Sequence, residues 1–190
     1  LNSGGSNSPG QYMATLIGDT LYFSANDGSS GNELWAHDTS NSSTWRVADI
    51  NSGGSSSNPG YYMATLVGDT LYFSAYYSSS NELWAHDTSN SSTWQVADIN
   101  SGGSSSPGQY MATLIGDTLY FSAYDGSSGN ELWAHDTSNS STWRVADINS
   151  GGSSSNPGRH MATCGGAPLY VSAYNSSSQQ LSTHHTCNSS

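Results

Sequence analysis

Three His-Asp pairs are the residues whose types and spacing most directly suggest chemistry. They are His37-Asp38, His86-Asp87 and His135-Asp136, and they recur every 49 residues. Successive side chains of a strand point to opposite faces, so the two members of one pair cannot converge on the same atom. A catalytic triad also needs a nucleophile within hydrogen-bond reach of its base. Because the copies are almost identical and no unique pocket is indicated, we predict that the chain is not an enzyme.

Two other groups of residues have side chains that could bind metals. His184-His185 and Cys187 offer ligand types that zinc accepts, but their spacing matches no recognised zinc pattern. Asn26-Asp27-Gly28 is similar to a calcium loop, yet other repeats place Tyr77 and Asn175 where Asp27 stands. We therefore expect a solvated turn at Asp27, and we predict neither a metal nor a cofactor.

The chain has only two cysteines, Cys164 and Cys187, and both lie in the last repeat. In an extracellular protein such a pair predicts one local disulfide. Two buried or free thiols remain the alternative.

Asn-Xaa-Ser sequons lie at one equivalent turn of each repeat, with a further one near the end of the chain. Each alone is a weak signal in a Ser-rich chain, but four in phase on a predicted exposed turn favour N-linked glycans. The same residues are also good turn formers, and this explanation stays open. The predicted acceptors are Asn41, Asn90, Asn139, Asn175 and Asn188.

Composition excludes several classes of partner. The 190 residues include 14 acidic and 3 basic side chains, which gives a net charge of −11. Such a chain is repelled by nucleic acid and by anionic membranes, and no apolar run approaches the roughly 18 residues of a membrane span. The 6 Trp and 12 Tyr residues predict a packed core despite the high content of Ser, Gly and Asn.

The elements that position these residues are set by an internal repeat of about 50 residues. We expect one repeat domain over 1–190, with units of about 1–50, 51–99, 100–148 and 149–190. Within the first unit, turn signals delimit four predicted strands, and Gly18-Asp19 marks a hairpin between the first two. The predicted strands are Tyr12–Ile17, Thr20–Ala25, Glu33–Asp38 and Thr44–Ile50.

The second strand has bulky residues on both of its faces. Leu21 and Phe23 point to one side and Tyr22 points to the other. Burial on both sides is typical of sheets that stack as propeller blades. The sequence therefore predicts an all-β fold of four tandem four-stranded antiparallel units, as in a four-bladed β-propeller. An open β repeat array is the alternative, because repeat stacking requires only nearest neighbours.

One motif of each unit resembles a known repeat family. Glu33-Leu34-Trp35, followed by Asp38-Thr39, is similar to the Glu-Leu-Trp...Asp-Gly-Thr repeats of large prokaryotic surface proteins. Leu21–Ala25 and Asp49-Ile50-Asn51 also match units of that kind. The likeness extends over three repeats and most of the fourth, and it departs from the pattern in lacking the Gly of Asp-Gly-Thr. It implies a propeller-like extracellular repeat and no particular chemistry.

The two ends of the chain suggest that the last sheet has only three strands. Leu1 to Gly5 matches Ile50 to Gly54, and Asn188 to Ser190 matches Asn41 to Ser43, just before a fourth strand. One interpretation is a capped three-stranded blade. The other is that a neighbouring molecule adds its own strand to the open edge, which could build a filament.

These observations lead to one functional prediction with an alternative. We predict a glycosylated structural subunit of a cell-surface layer or extracellular fibre, which self-associates head to tail through the incomplete last sheet. The alternative is a multivalent lectin with one sugar site per blade. Exposed rings of Trp35, Trp45 and Tyr12 would favour the lectin, whereas rings buried between sheets would count against it.

Overall fold

The computed structural model describes residues 5–160, 162–164, 169–176 and 178–184, and these residues form an all-β protein. Hydrogen bonds join the strands into four separate sheets. Within this described part, no helix is long and apolar enough to cross a membrane. The chain divides into two compact units, residues 1–95 and residues 96–190.

The N-terminal unit contains sheet 1 and most of sheet 2, whose last strand extends across the boundary at residue 95. Each sheet has its strands in sequence order. Sheet 1 consists of β1 (Ala14–Ile17), β2 (Thr20–Asn26), β3 (Asn32–Asp38) and β4 (Ser43–Ala48). Sheet 2 consists of β5 (Ala64–Val67), β6 (Thr70–Tyr77), β7 (Ser80–Asp87) and β8 (Ser92–Ala97).

The C-terminal unit contains sheets 3 and 4. In the described residues sheet 4 has three strands, one fewer than each of the other sheets. Sheet 3 consists of β9 (Ala112–Ile115), β10 (Thr118–Tyr124), β11 (Asn130–Asp136) and β12 (Ser141–Ala146). Sheet 4 consists of β13 (Ala162–Cys164), β14 (Leu169–Asn175) and β15 (Ser178–His184).

The predicted hairpin at Gly18-Asp19 is confirmed. Ile17 is the register partner of Thr20, so Gly18 and Asp19 form the whole turn between β1 and β2. Gly18 has a φ of 57°, a conformation that the tight turn requires and that glycine adopts without strain. The four strands predicted for the first repeat are also observed, and their bounds differ from the predicted ones by up to two residues at each end.

Tyr22 and Phe23, on opposite faces of β2, are both buried, as the sequence predicted, whereas Leu21 is partly exposed. Tyr22 and Leu34 of sheet 1 belong to the same core cluster as Leu71 and Phe73 of sheet 2. In the C-terminal unit, Tyr120 and Leu132 of sheet 3 join Leu169 and Val171 of sheet 4 in the same way. Each unit is thus held together by one sheet packed face to face on the next, and the same positions of the repeat are used both times.

Candidate interaction surfaces and the fate of the predicted site residues

The His-Asp pairs separate into two structural roles, and the histidine takes the first. Nδ1 of His37, His86 and His135 lies 2.8 Å from Oγ1 of a threonine on the neighbouring outer strand. His86 and His135 are buried, and this burial lowers the pKa of both imidazoles. In each of these repeats the bond from the imidazole to the threonine joins the third and fourth strands of the sheet.

The aspartate of each pair organises the turn that follows it. The Asp38 carboxylate accepts hydrogen bonds from the Ser40 amide at 2.8 Å, from the Ser40 hydroxyl and from Nδ2 of Asn41. The Ser40 bonds lower the pKa of Asp38. Asp87 and Asp136 form the same contacts in their own repeats. The two members of a pair therefore have different partners and do not converge on a common point.

The three in-phase sequon asparagines occupy identical exposed turns. Oδ1 of Asn41 accepts the Ser43 amide at 2.9 Å, and Asn90 and Asn139 make the equivalent bond. The serine that separates the two bonded residues has a left-handed conformation, with a φ of 60° at Ser42. Asn175 is exposed at the end of β14, and Asn188 lies outside the described residues. The turns are accessible to a modifying enzyme.

The loop that is similar to a calcium site is closed by the protein's own groups. Oδ1 of Asp27 accepts the amides of Ser29 and Ser30 at 2.8 and 2.7 Å, and these bonds lower the pKa of Asp27. Nη1 of Arg46 lies 3.6 Å from its other carboxylate oxygen. In the residues that the structure describes, no three His, Cys, Asp or Glu side chains gather as potential metal ligands.

The predictions at the end of the chain lie largely outside the described residues. Cys164 ends β13, but neither its side chain nor Cys187 is described, so the disulfide stays a prediction. His184 ends β15 and His185 is not described.

Each of the first three repeats has two tryptophans, and in the first repeat they lie on opposite faces of sheet 1. Trp45 is the register partner of Ala36, and Trp35 is the partner of Arg46. Trp84, which corresponds to Trp35, packs against the core of the N-terminal unit. The outer-strand residues Trp45, Trp94 and Trp143 are 41%, 39% and 39% exposed. A platform that combines both tryptophans of a repeat is therefore not formed, and one exposed indole per repeat remains.

Tyr12 belongs to an aromatic cluster of the N-terminal unit. Its ring centroid lies 5.1 Å from that of Tyr61, which also contacts Tyr62 at 4.7 Å. Tyr61 is 46% exposed, and the equivalent positions in the other repeats are Gln11, Gln109 and Arg159. These rings cover one another, and they do not form a platform that recurs in each blade.

Sequence reasoning missed the role of the repeated glutamate. Glu33 is fully buried, and its carboxylate accepts the Ile50 amide at 2.7 Å, the Ser57 amide at 2.9 Å and the Ser57 hydroxyl at 2.7 Å. Glu131 makes the equivalent bonds to Ile148 and Ser155. Burial raises the pKa of both carboxyls, against the opposite influence of these hydrogen bonds. The glutamate thus fixes the segment that links one sheet to the next.

A charged residue beside the apolar Leu34 and Trp35 was the available signal for this role. Glu33 stands beside Leu34 and Trp35, and a charged group at a position predicted to be buried requires donors nearby. The last repeat has Gln180 instead.

The outer edge of sheet 4 differs from that of the other sheets. β3, β7 and β11 are each hydrogen-bonded to a strand on both sides, whereas β15 is bonded only to β14 in the described part of the chain. The side chains of Ser178 to Leu181 are exposed along it. β15 therefore presents an interior strand position as an edge.

Comparison with known proteins finds similarity in fold. No protein family model and no curated protein matches the chain. TolB from Acinetobacter baumannii aligns over 88% of this chain and 38% of its own, with 13% identity and a TM-score of 0.53. A puromycin hydrolase mutant aligns over 90% of this chain and 26% of its own, with 13% identity and a TM-score of 0.59. A putative TolB from Agrobacterium tumefaciens aligns over 97% and 64%, with 11% identity and a TM-score of 0.55.

These structures are β-propeller proteins, so the likeness confirms the predicted β-propeller fold class. The chain spans less than two thirds of each of them. At 11–13% identity the likeness shows the fold alone.

Proposed function

We propose that this chain is a non-enzymatic structural subunit of a cell-surface layer or extracellular fibre, and that copies associate through the open edge of β15. The observation that carries the proposal is that β15 holds the third position of its sheet, which is bonded on both sides in the other three sheets. An unpaired edge can accept a strand from another molecule through main-chain hydrogen bonds.

The side chains that could perform chemistry are consistent with this role. The histidines bond to threonines, the aspartates hold turns, and the buried glutamates bind the linking segments. These groups support the repeat, and a fibre subunit depends on shape and pairing.

The register of the complete sheets defines the strand that would fit this edge. In sheet 1, Leu34 pairs with Ala48, and Ala36 pairs with Trp45. Leu181 occupies the position of Leu34 in the repeat, because Leu181 pairs with Ser172 and Leu34 pairs with the equivalent Ser24. The incoming strand would therefore have the sequence Ser-Thr-Trp-Arg-Val-Ala, which occurs in this chain as β4 and β12.

Electron microscopy with a competing peptide tests this proposal. We expect purified protein to form regular fibres, and we expect an excess of the peptide Ser-Thr-Trp-Arg-Val-Ala to shorten them by occupying β15. The matched control is the same peptide with N-methyl groups on alternate amides, which cannot complete the ladder and should have no effect. Isolated particles without peptide, or fibres that neither peptide alters, would overturn edge pairing.

We further propose that the in-phase asparagines carry N-linked glycans on the rims of the sheets. Asn41, Asn90 and Asn139 have the same exposed turn geometry, so all three are expected to be modified alike. Intact mass spectrometry of native material before and after treatment with peptide N-glycosidase checks this. Enzymatic release should convert each of the three to Asp, whereas a native mass equal to that of the bare chain would contradict the prediction.

Carbohydrate binding is the second candidate function, and one observation favours it. Trp45, Trp94 and Trp143 each expose about two fifths of their surface at the same position of the repeat. Equivalent weak sites of this kind would gain avidity from their number. Carbohydrate binding becomes the favoured function if electron microscopy shows the purified protein as isolated particles.

A further inference from the structure

The sheets of each unit pack through the same two faces. One face, here named the Tyr face, presents Met13, Tyr22 and Leu34 in sheet 1; the opposite face, named the Phe face, presents Leu71 and Phe73 in sheet 2. The two faces are closely packed, because a Cβ atom added to Gly60, which lies beside the Phe face of sheet 2, would be 2.5 Å from Cβ of Met13.

The C-terminal unit repeats this arrangement between sheets 3 and 4. Met111, Tyr120 and Leu132 of sheet 3 form the Tyr face, against Leu169 and Val171 of sheet 4. A Cβ atom added to Gly158 would lie 2.6 Å from Cβ of Met111. Two independent examples therefore define a sheet-to-sheet interface with fixed residues.

Among the described residues, the Phe face of sheet 1 is partly uncovered, although Phe23 itself is only 6% exposed. Leu21 and His37 are partly exposed, although their counterparts in sheet 2, Leu71 and His86, are 0% and 2% exposed. A largely apolar cavity of about 300 Å³ lies on this face. It is lined mainly by Pro9, Ala14, Leu21, Phe23, His37 and Thr44.

The Tyr face of sheet 4 is open as well. Leu181 is 59% exposed, whereas Leu34, Leu83 and Leu132, at the same register position, are all 0% exposed. Tyr170 is half-buried, although Tyr22 and Tyr120 are buried. A cavity of about 360 Å³ on this face is lined by His160, Ser172, Gln179, Gln180 and Leu181.

We propose that the Tyr face of sheet 4 in one copy docks on the Phe face of sheet 1 in a second copy. The occupant is specified by continuity with the established interface, because each open face has the residues that its counterparts bury against a partner sheet. Tyr170 and Leu181 take the positions of Tyr22 and Leu34. Gly10 takes the position of Gly60 in the repeat. At Gly60 an added side chain would collide with Met13 of the neighbouring sheet.

This interface would be heterologous, since two different faces meet, and it can continue from copy to copy. The inference rests on the proposed self-association, but it concerns sheet faces and not the edge of β15. The net charge of −11 opposes association at low ionic strength, so docking is expected to strengthen as salt screens the repulsion.

Disulfide trapping between two single-cysteine variants tests the geometry. In a background of Cys164→Ser and Cys187→Ser, His37→Cys protein is mixed with Leu181→Cys protein under mild oxidation at about 0.15 M salt. We expect the mixture to give several-fold more cross-linked dimer than Leu181→Cys mixed with Ser42→Cys, whose cysteine lies on an exposed turn. Equal yields would overturn the proposal. Efficient cross-linking within one chain carrying both His37→Cys and Leu181→Cys would overturn it too.

Sedimentation of the chain with its own cysteines provides a second measurement. Leu181→Asp replaces an exposed side chain, and it should weaken association at least about tenfold because docking would bury an unpaired charge. Leu66→Asp is the matched control: Leu66 is 36% exposed and belongs to sheet 2, which contributes neither face of the proposed contact. Association that is equally strong in both variants would overturn the proposal.

The two experiments separate face docking from edge pairing. If the peptide leaves the fibres unaltered while the His37 and Leu181 variants cross-link, edge pairing fails and face docking stands. If the peptide dissolves the fibres while no cross-link forms, edge pairing stands and face docking fails.

Discussion

Gly31→Ala should destabilise the N-terminal unit by about 2–5 kcal/mol. Gly31 has a φ of 74°, in the left-handed region where an alanine costs about 1–2 kcal/mol. Its added methyl group would also press against the linking segment, with the Ser55 carbonyl oxygen as its nearest neighbour and the Ser56 amide nitrogen 2.8 Å away. Because backbone atoms cannot rotate aside, overpacking of this kind adds roughly 1–3 kcal/mol.

Gly18→Ala is the matched control for Gly31→Ala. Gly18 has a φ of 57°, but nothing lies within 4 Å of its added methyl group. Only the conformational cost of about 1–2 kcal/mol is then expected. Chemical denaturation followed by tryptophan fluorescence measures both variants, and equal losses would show that the close approach to Ser55 has no energetic weight.

The repeat explains why much of the fold could be predicted from the sequence. Gly18-Asp19 has one favourable conformation between two strands, and Tyr22 between Leu21 and Phe23 requires burial on both faces. The turn occurs three times and the strand pattern four times, the last with Val171 in place of Phe23, so each copy supports the interpretation of the others.

The linking segments could not be predicted from such patterns. Their conformation depends on contacts between residues far apart in the chain, as between Glu33 and Ser57 or Gly31 and Ser55. Sequence alone indicates that a Ser- and Gly-rich loop is polar, but not which carboxylate will bind its amides.

The candidate interaction surfaces were partly predictable. The three strands that the described residues form in sheet 4 agree with the phase of the repeat, whereas the exposed faces of sheets 1 and 4 became apparent only from the burial of equivalent positions. Leu181 has the same residue type and register as Leu34, so only its exposure distinguishes it. Similarly, the exposed Trp45 and the partly buried Trp35 are indistinguishable by type.

Glu33→Ala is expected to reduce the free energy of unfolding by roughly 3–5 kcal/mol. The substitution removes the acceptor of the Ile50 amide and one of the two acceptors of the Ser57 amide and hydroxyl, which keep the Asn32 carbonyl oxygen, all in a buried environment. Leaving the Ile50 amide without an acceptor costs about 1–3 kcal/mol, and each lost bond of Ser57 costs about 0.5–1.5 kcal/mol. Thermal and denaturant unfolding would measure the loss, and Glu131→Ala should produce the same effect in the C-terminal unit.

Two further variants separate hydrogen bonding from side-chain volume and from the loss of a charge. Glu33→Gln keeps the side-chain volume and one acceptor oxygen, but its amide group faces a hydrogen-bond donor. Its loss of unfolding free energy should therefore be about half that of Glu33→Ala. Asp38→Ala removes a carboxylate that accepts a similar set of bonds in an exposed turn, where water can replace it, at a cost of about 1 kcal/mol. If Glu33→Ala costs no more than Asp38→Ala, the buried carboxylate does not hold the linking segment. A large difference would establish that Glu33 holds the segment that links sheet 1 to sheet 2, as nearest-neighbour stacking requires.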